Sequence, residues 1–397
     1  MLKLGFNRAV TRRLHTGKGT LLIGKLDRVV STIASSSPGN PRNDTATILE
    51  LSPGRLLCAY HAFKPSPFGA GDYGYAEGVL RESRDGGLTW GDPRVIVVPD
   101  PGDQNVHGVA LGRAADGSLL LSALVCHTPS SGTMRLYRSR DDGNTFERRN
   151  DIWHTERAQW IQGGAAGLYT LRDGRLILPF CGGGEGLIRL MKWHYTPSWI
   201  APDKLDEYRT TQEGQHYAIG MAWSDDQGCT WTVRHPLIDL PMRGAIEPSL
   251  AECENGELAL SIRTQLGTVM FSHSRDRGES WSQPQSGGLG APENCTCLRR
   301  LPGGNRLALF WTDGPYDVND HHYGPRTPLS LALSDDHGRH WTKVADLAAE
   351  PDVAYTNLNC TFLSDGAALL TFAYRNPAWK AHGGEHSLRM MRITGLV

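Results

Sequence analysis

The sequence predicts an all-β chain folded as a six-bladed β-propeller, and three observations carry that expectation. A clip of the form Ser-x-Asp-x-Gly-x-x-aromatic occurs five times: "SRDGGLTW" at Ser83, "SRDDGNTF" at Ser139, "SDDQGCTW" at Ser224, "SRDRGESW" at Ser274 and "SDDHGRHW" at Ser334. Between the clips runs a second repeat, in which two apolar segments flank a Gly-bearing turn, the signal of a β-hairpin. The clips start 56, 85, 50 and 60 residues apart, close to the roughly 40–50 residues that a four-stranded propeller blade occupies.

Six hairpins follow one another. They are "TATILELSPGRLLCAYH" from Thr45, "VHGVALGRAADGSLLLSALV" from Val106, "AAGLYTLRDGRLILPFC" from Ala165, "EPSLAECENGELALSIR" from Glu247, "CTCLRRLPGGNRLALFW" from Cys295 and "YTNLNCTFLSDGAALLTFAYR" from Tyr355. The first five each lead into a clip. The sixth ends in "SLRMMRITGLV" without one, so its blade is expected to be completed by an N-terminal strand that closes the ring and covers an open sheet edge. The long third interval holds an insertion at about 183–215, and residues 1–397 form a single domain. The clip itself reads as structure: Asp accepts backbone N–H bonds in a tight turn, Gly supplies positive φ, and the aromatic packs between sheets. A ligand role would require five equivalent ligands around one ring.

Composition narrows the function. A net charge of −1 gives no reason to expect nucleic acid or an anionic membrane as partner. No apolar run approaches the roughly 18–20 residues of a membrane-crossing helix. The eight cysteines lie scattered in strand-like text with no paired ligand spacing, so buried free thiols are expected rather than a zinc site. Free thiols and the broken apolar pattern of the basic N-terminus favour a cytoplasmic location over secretion. No cofactor is implied, and nothing in the sequence sets the oligomeric state.

If the clips are structural, function falls to polar residues placed once at the starts of inner strands. Arg42 in "GNPRNDTATIL" precedes the first inner strand, Arg263 closes the second strand of the fourth hairpin, and Arg326 in "GPRTPLSLALSDD" begins the approach to the fifth clip. Three guanidinium forks could converge on one planar anion. Glu247 in "GAIEPSL" opens the fourth inner strand, and Tyr355 in "DVAYTNL" is read as its counterpart in the sixth blade, where the carboxylate could take the phenolic proton. Asp72 in "GAGDYGYAEG" lies on a Gly-rich loop suited to a mobile general acid. His107, Trp160 and Glu293 begin inner strands elsewhere and are candidate pocket walls. His194, Trp199 and His216 fall in or beside the insertion and could reshape the pocket, and the pair His321–His322 lacks a spaced third metal ligand.

Five clips of this form, often called Asp boxes, on six blades resemble the sialidase (neuraminidase) superfamily over essentially the whole chain. The resemblance implies that Arg42, Arg263 and Arg326 bind the carboxylate of a terminal sialic acid or related acidic sugar. It further implies that Glu247 activates Tyr355 as the nucleophile and that Asp72 is the acid/base, giving hydrolysis with retention. "AYTNL" is similar to the family's nucleophile segment, and "EPSLAECENGELALSIR" to its Glu-to-Arg segment. The first arginine departs from the family's Arg-Ile-Pro, standing here in Arg-Asn-Asp. Two alternatives remain open: a lyase or hydrolase acting on another carboxylate-bearing sugar, and a propeller that binds glycans without turnover.

Overall fold

A computed structural model describes residues 13–16, 19–22, 26–72, 74–128, 131–155, 162–163, 167–183, 203, 216–320, 322–375 and 386–397. Among these, the regular structure is strand, with no α-helix. Most of the expected insertion lies outside the described residues, as do Trp160, His194, Trp199 and His321.

Strands β1 (Arg13–Thr16) and β2 (Gly19–Leu22) pair only with each other, and β3 (Asp27–Ala34) joins the far end of the chain. The remaining strands fall into six antiparallel sets. The first holds β4 (Arg42–Ser52), β5 (Arg55–Phe63), β6 (Ala76–Ser83) and β7 (Arg94–Val97). The second holds β8 (Asn105–Arg113), β9 (Leu119–Thr128), β10 (Ser131–Ser139) and β11 (Glu147–Thr155). In the third, β12 (Gln162–Gly163) and β13 (Tyr169–Thr170) both pair with β14 (Leu176–Gly183), followed by β15 (Tyr217–Ser224) and β16 (Thr232–Ile238). The fourth holds β17 (Ile246–Glu252), β18 (Leu258–Arg263), β19 (Thr268–Ser274) and β20 (Gln285–Gly290). The fifth holds β21 (Cys297–Arg300), β22 (Leu307–Thr312), β23 (Leu329–Ser334) and β24 (Thr342–Ala348). The sixth holds β25 (Ala354–Phe362), β26 (Ala368–Arg375) and β27 (His386–Thr394), with β3 as its outer strand.

The first strands touch in series from β4 through β8, β12, β17 and β21 to β25, and β25 touches β4. One parallel register pair, His386 with Arg42, links the sixth set to the first. Each sheet is covered on both faces by its neighbours, which explains why β14 and β18 are near-continuous apolar text and buried along their whole length. The outer strands are the more exposed: β16 alternates exposed and half-buried residues, and β20 exposes four of its six.

The clips join adjacent sets. In the fourth, Ser274 Oγ donates to Asp276 Oδ1 at 2.8 Å while accepting the Gly278 N–H at 2.8 Å. Asp276 also accepts the Ser280 N–H at 2.9 Å and the Ser280 hydroxyl. Arg277 and Gly278 both have positive φ, 63° and 91°, and a Cβ on Gly278 would stand 2.5 Å from Ile177 Cδ1 of the preceding set. The glycine thus lets the turn lie flat on its neighbour. Gly143 meets Leu57, Gly228 meets Leu136, and Gly87 meets Met390 in the same way, each at 2.7 Å. In each clip the serine and aspartate bond within the turn, and in four of the five the glycine docks against an apolar side chain of another set, in keeping with the structural reading.

Four first strands carry a β-bulge at a matching place, each with one residue of positive φ: Thr45 (50°), Gly108 (55°), Glu247 (42°) and Asn357 (55°). This corrects one expectation. The counterpart of Glu247 in the sixth set is Asn357, two residues beyond Tyr355, because the bulge rather than the apolar pattern fixes the alignment.

Candidate functional site

Register separates the two ends of each sheet. Ser83 of the first clip stands opposite Leu56, whereas Arg42 stands opposite Phe63. Seven residues of strand place them roughly 23 Å apart. Arg263 likewise pairs with Ile246, and the clip residue Ser274 with Leu258. The arginines and acids therefore share the end away from the clips, in two neighbouring clusters.

The first cluster is built on Arg42. Its Nε donates to Asp44 Oδ2 at 2.6 Å, its Nη1 to Asp72 Oδ1 at 2.8 Å and to the Ala70 carbonyl at 3.1 Å, and its guanidinium lies 4.4 Å over the Phe63 ring. Asp44, fully buried, also contacts His61 Nε2 and His386 Nδ1. The Gly108 N–H donates to His61 Nδ1 at 3.2 Å, so the His61 proton sits on Nε2 and points at Asp44. Asp44 is thus the hub of this cluster. The departure from the family's Arg-Ile-Pro supplies the residue that holds Arg42.

Asp72 keeps a side chain that is 44% exposed. Asn105 Nδ2 pins its loop by donating to the Asp72 and Gly74 carbonyls at 2.8 and 2.9 Å. Burial pushes the Asp72 carboxyl up, but Arg42 and then His107 outweigh it and leave it at about 2. His107 is buried against His61, ring centres 4.2 Å apart, and burial holds its pKa well below the usual histidine range.

The second cluster is built on Glu293, which is only 2% exposed. Its Oε1 accepts Arg243 Nη1 at 2.7 Å and lies 3.2 Å from Arg263 Nη2. Its Oε2 accepts Gln265 Nε2 at 3.2 Å and lies 3.8 Å from His322 Nδ1, while its carbonyl accepts Arg326 Nε and Nη2 at 3.2 and 2.9 Å. Arg263 Nη1 donates to Glu247 Oε2 at 2.7 Å. Burial opposes ionisation of Glu293, but the Arg243 and Arg263 charges hold its carboxyl well below the usual range. Burial and then the Arg263 charge push Arg326 down to about 9, so it stays cationic at neutral pH. Arg326 and Glu293 lie on connecting segments ahead of β23 and β21 rather than within strands.

The expected contact between Tyr355 and Glu247 is absent. Tyr355 is 1% exposed, packs edge-on against Phe372, and donates its hydroxyl to Glu350 Oε1 at 3.1 Å. Tyr374 donates to the other Glu350 oxygen at 2.7 Å. Burial and then the Glu350 charge raise the Tyr355 pKa. His216 takes no part in the ion pairs on Glu293 but bonds the Met242 carbonyl, next to Arg243, and Asp239. Sequence reading passed over Asp44, His61, Arg243, Gln265, Glu350 and His386; of these, only the arginine of "MRGAIEP", four residues before Glu247, offered a local signal.

All eight cysteines are free thiols, seven of them buried. Cys295 and Cys181 accept the bulge N–H groups of Asn357 and Glu247, at 2.9 and 3.5 Å. Among the described residues, no group of His, Cys, Asp or Glu is arranged to hold a metal ion.

Solved structures resemble this one over nearly its full length. A protein of unknown function from Dyadobacter fermentans matches with a TM-score of 0.65 and 15% identity over 93% of this chain and 98% of that one. The intramolecular trans-sialidase of Ruminococcus gnavus, solved with oseltamivir carboxylate, matches with a TM-score of 0.66 and 13% identity, over 90% of this chain and 96% of that one. The NanB sialidase of Streptococcus pneumoniae matches with a TM-score of 0.66 and 13% identity, over 92% and 71%. No curated protein matches in sequence. The fold is the β-propeller-like fold of the sialidases. The BNR repeat-like domain family matches residues 134–366, more than half of the sequence, and the chain belongs to that family.

Proposed function

We propose that the six sets are the blades of a six-bladed propeller, that the five clips are its Asp boxes, and that its mouth binds a carboxylate-bearing sugar. We further propose retaining, exo-α-sialidase-like hydrolysis of terminal sialic acid or a related acidic sugar from a glycan. One observation carries this reading: Arg263 and Arg326 meet on Glu293 at the same end of the sheets as the Arg42–Asp72 pair.

In the proposed reaction Arg42, Arg263 and Arg326 hold the substrate carboxylate. That carboxylate, drawing on Arg42, relieves Asp72 of the charge that keeps it ionised and lets it carry a proton. Asp72 gives this proton to the leaving oxygen as the glycosidic bond breaks and the Tyr355 oxygen bonds the anomeric carbon. Asp72 then takes a proton from water, whose oxygen bonds the anomeric carbon and displaces Tyr355, which regains its proton from Glu350. A neutral tyrosine suits an anomeric carbon bearing a carboxylate, which would repel an anionic nucleophile. Glu350, already bonded to Tyr355, is the proton acceptor favoured by the geometry, since Glu247 is engaged by Arg263.

The test is fluorophore release from 4-methylumbelliferyl α-N-acetylneuraminide. Tyr355→Phe is expected to abolish turnover, and Asp72→Asn to slow release from a natural glycan by about 10²–10⁴-fold. The aryl substrate should suffer less, because its leaving group needs little protonation. Turnover undiminished in Tyr355→Phe removes the tyrosine from the mechanism. A second reading, binding without turnover, is favoured by the burial of Tyr355 and the engagement of its hydroxyl. It is selected if the protein binds the sugar acid and releases no fluorophore.

A further inference from the structure

The arginine count at the site exceeds the three that the resemblance implies. Arg243 Nη1 and Arg263 Nη2 lie on the same oxygen of Glu293, and Arg326 lies on the Glu293 carbonyl. Three guanidinium groups therefore share one residue as anchor. Arg42 belongs instead to the Asp44–Asp72 cluster.

The backbone around Arg243 is held in an uncommon shape. Met242 and Gly244 have φ of 65° and 93°, and a Cβ on Gly244 would lie 1.9 Å from the Tyr217 carbonyl oxygen. Four hydrogen bonds fix this shape. The Tyr217 N–H donates to the Arg243 carbonyl and the Ala245 N–H to the Tyr217 carbonyl, both at 2.9 Å. The Arg243 N–H donates to Gln265 Oε1 at 3.2 Å, and the Met242 carbonyl contacts His216 Nδ1 at 2.7 Å. A left-handed methionine persists only where its surroundings over-determine it, and such places gather at ligand sites. The result is to lay the Arg243 guanidinium 5.3 Å over the Tyr217 ring and against Glu293, with 19% of the side chain open.

The neighbouring arginines are already partly engaged. Arg326 spends its Nε–Nη2 edge on a carbonyl, and Arg263 spends both terminal nitrogens on Glu247 and Glu293. A carboxylate approaching them meets the N–H groups that remain, and Arg243 adds a further guanidinium beside them. Arg243 donates Nη1 to Glu293, bonds the Tyr217 side chain, and is the more exposed of the two guanidinium groups on that Glu293 oxygen.

We propose that Arg243 is a fourth arginine of the anion site, a specificity-determining residue that takes the carboxylate of the sugar, with Glu293 as the residue that positions it. This rests on the reading above that the mouth binds an acidic sugar.

The experiment is calorimetric titration with N-acetylneuraminate, glucuronate and, as a neutral control, galactose. Arg243→Gln is expected to weaken the better-bound acid by about 10-fold or more, the loss of a charge-assisted hydrogen bond, while leaving galactose unaffected. Arg306→Gln, which disrupts the exposed pair with Asp335, should leave binding within about twofold. Arg243→Lys keeps the charge but not the fork, and should weaken binding by about threefold or more. It carries the test if Arg243→Gln does not fold. Acid binding unchanged in the folded variants overturns the inference and leaves the proposed function standing. Failure of both acids to bind the parent protein overturns both.

Discussion

The clip end and the arginine end of the same sheets are both rich in ion pairs and hydrogen bonds, yet they are built on opposite plans. Each clip closes within a few residues: Ser224 reaches Asp226 and Gly228, and Asp226 reaches Thr230. The five copies repeat this pattern, with His340 replacing the hydroxyl residue in the last. At the arginine end most partners are remote, with Arg42–Asp44 and Tyr355–Glu350 as local exceptions. Arg243 meets Glu293 across 50 residues, and His386 meets Asp44 across 342. The backbone bulge recurs there, but the ion pairs do not repeat from set to set. Repetition with local closure marks the device that holds the sheets together, and single long-range pairs mark the place where a ligand could bind.

If that contrast is right, the largest stability effect lies at the arginine end. Glu293→Gln removes the carboxylate that Arg243 and Arg263 share in a buried site, leaving Glu247 as the one carboxylate on Arg263, and is expected to cost about 3–5 kcal/mol in denaturant unfolding. A cost below about 1 kcal/mol would mean the cluster is already well solvated, and the contrast with the clips would fail. Gly278→Ala asks the same of a clip. With φ of 91° and Ile177 Cδ1 at 2.5 Å, the expected cost is about 1–3 kcal/mol, since a side-chain methyl can shift. A larger loss than for Glu293→Gln would reverse the ranking.

The smallest effect is a pH dependence. Bonds from Thr145, its backbone N–H first, hold Asp141 at about 2. Bonds from Thr230, the hydroxyl first, do the same for Asp226. A carboxyl lowered in the folded state adds stability that is complete above its unfolded pKa near 4 and is lost as pH falls through its folded value. Melting temperature should therefore fall between about pH 4 and 2, and Asp226→Asn should flatten the fall. An unchanged slope in that variant would assign the acid sensitivity to the other lowered carboxyls, the remaining clip aspartates together with Asp72 and Glu293.

How much could be read from the sequence follows the same division. The five clips and six hairpins were legible because each is defined over a window shorter than about 20 residues, where turn chemistry and apolar runs act locally. Arg42, Arg263, Arg326, Asp72, Glu247 and Glu293 were found because each is a polar residue placed once at a strand end or on a segment leading to a strand, and the structure gathers them at one end. Tyr355 was found by the same rule, but its hydroxyl turned to Glu350, a residue whose text, "LAAEPD", carries no signal. The equivalence of Tyr355 with Glu247 failed for a related reason: a bulge shifts register without leaving a mark in the apolar pattern. Arg243 was passed over because its value comes from Glu293 and from a left-handed backbone that only Tyr217, His216 and Gln265 together impose.

The sequence by itself determined that the chain is β-built, where its sheets turn, and which residues are too polar for their places. These are properties of local dihedral preference and of apolar periodicity, and they do not depend on what lies across the molecule. Tertiary structure alone decided which charge faces which. The energy of an ion pair depends on a distance of a few ångströms, and the chain sets that distance only when sheets from opposite ends of the sequence close on one another, as β27 does on β4 beside Arg42.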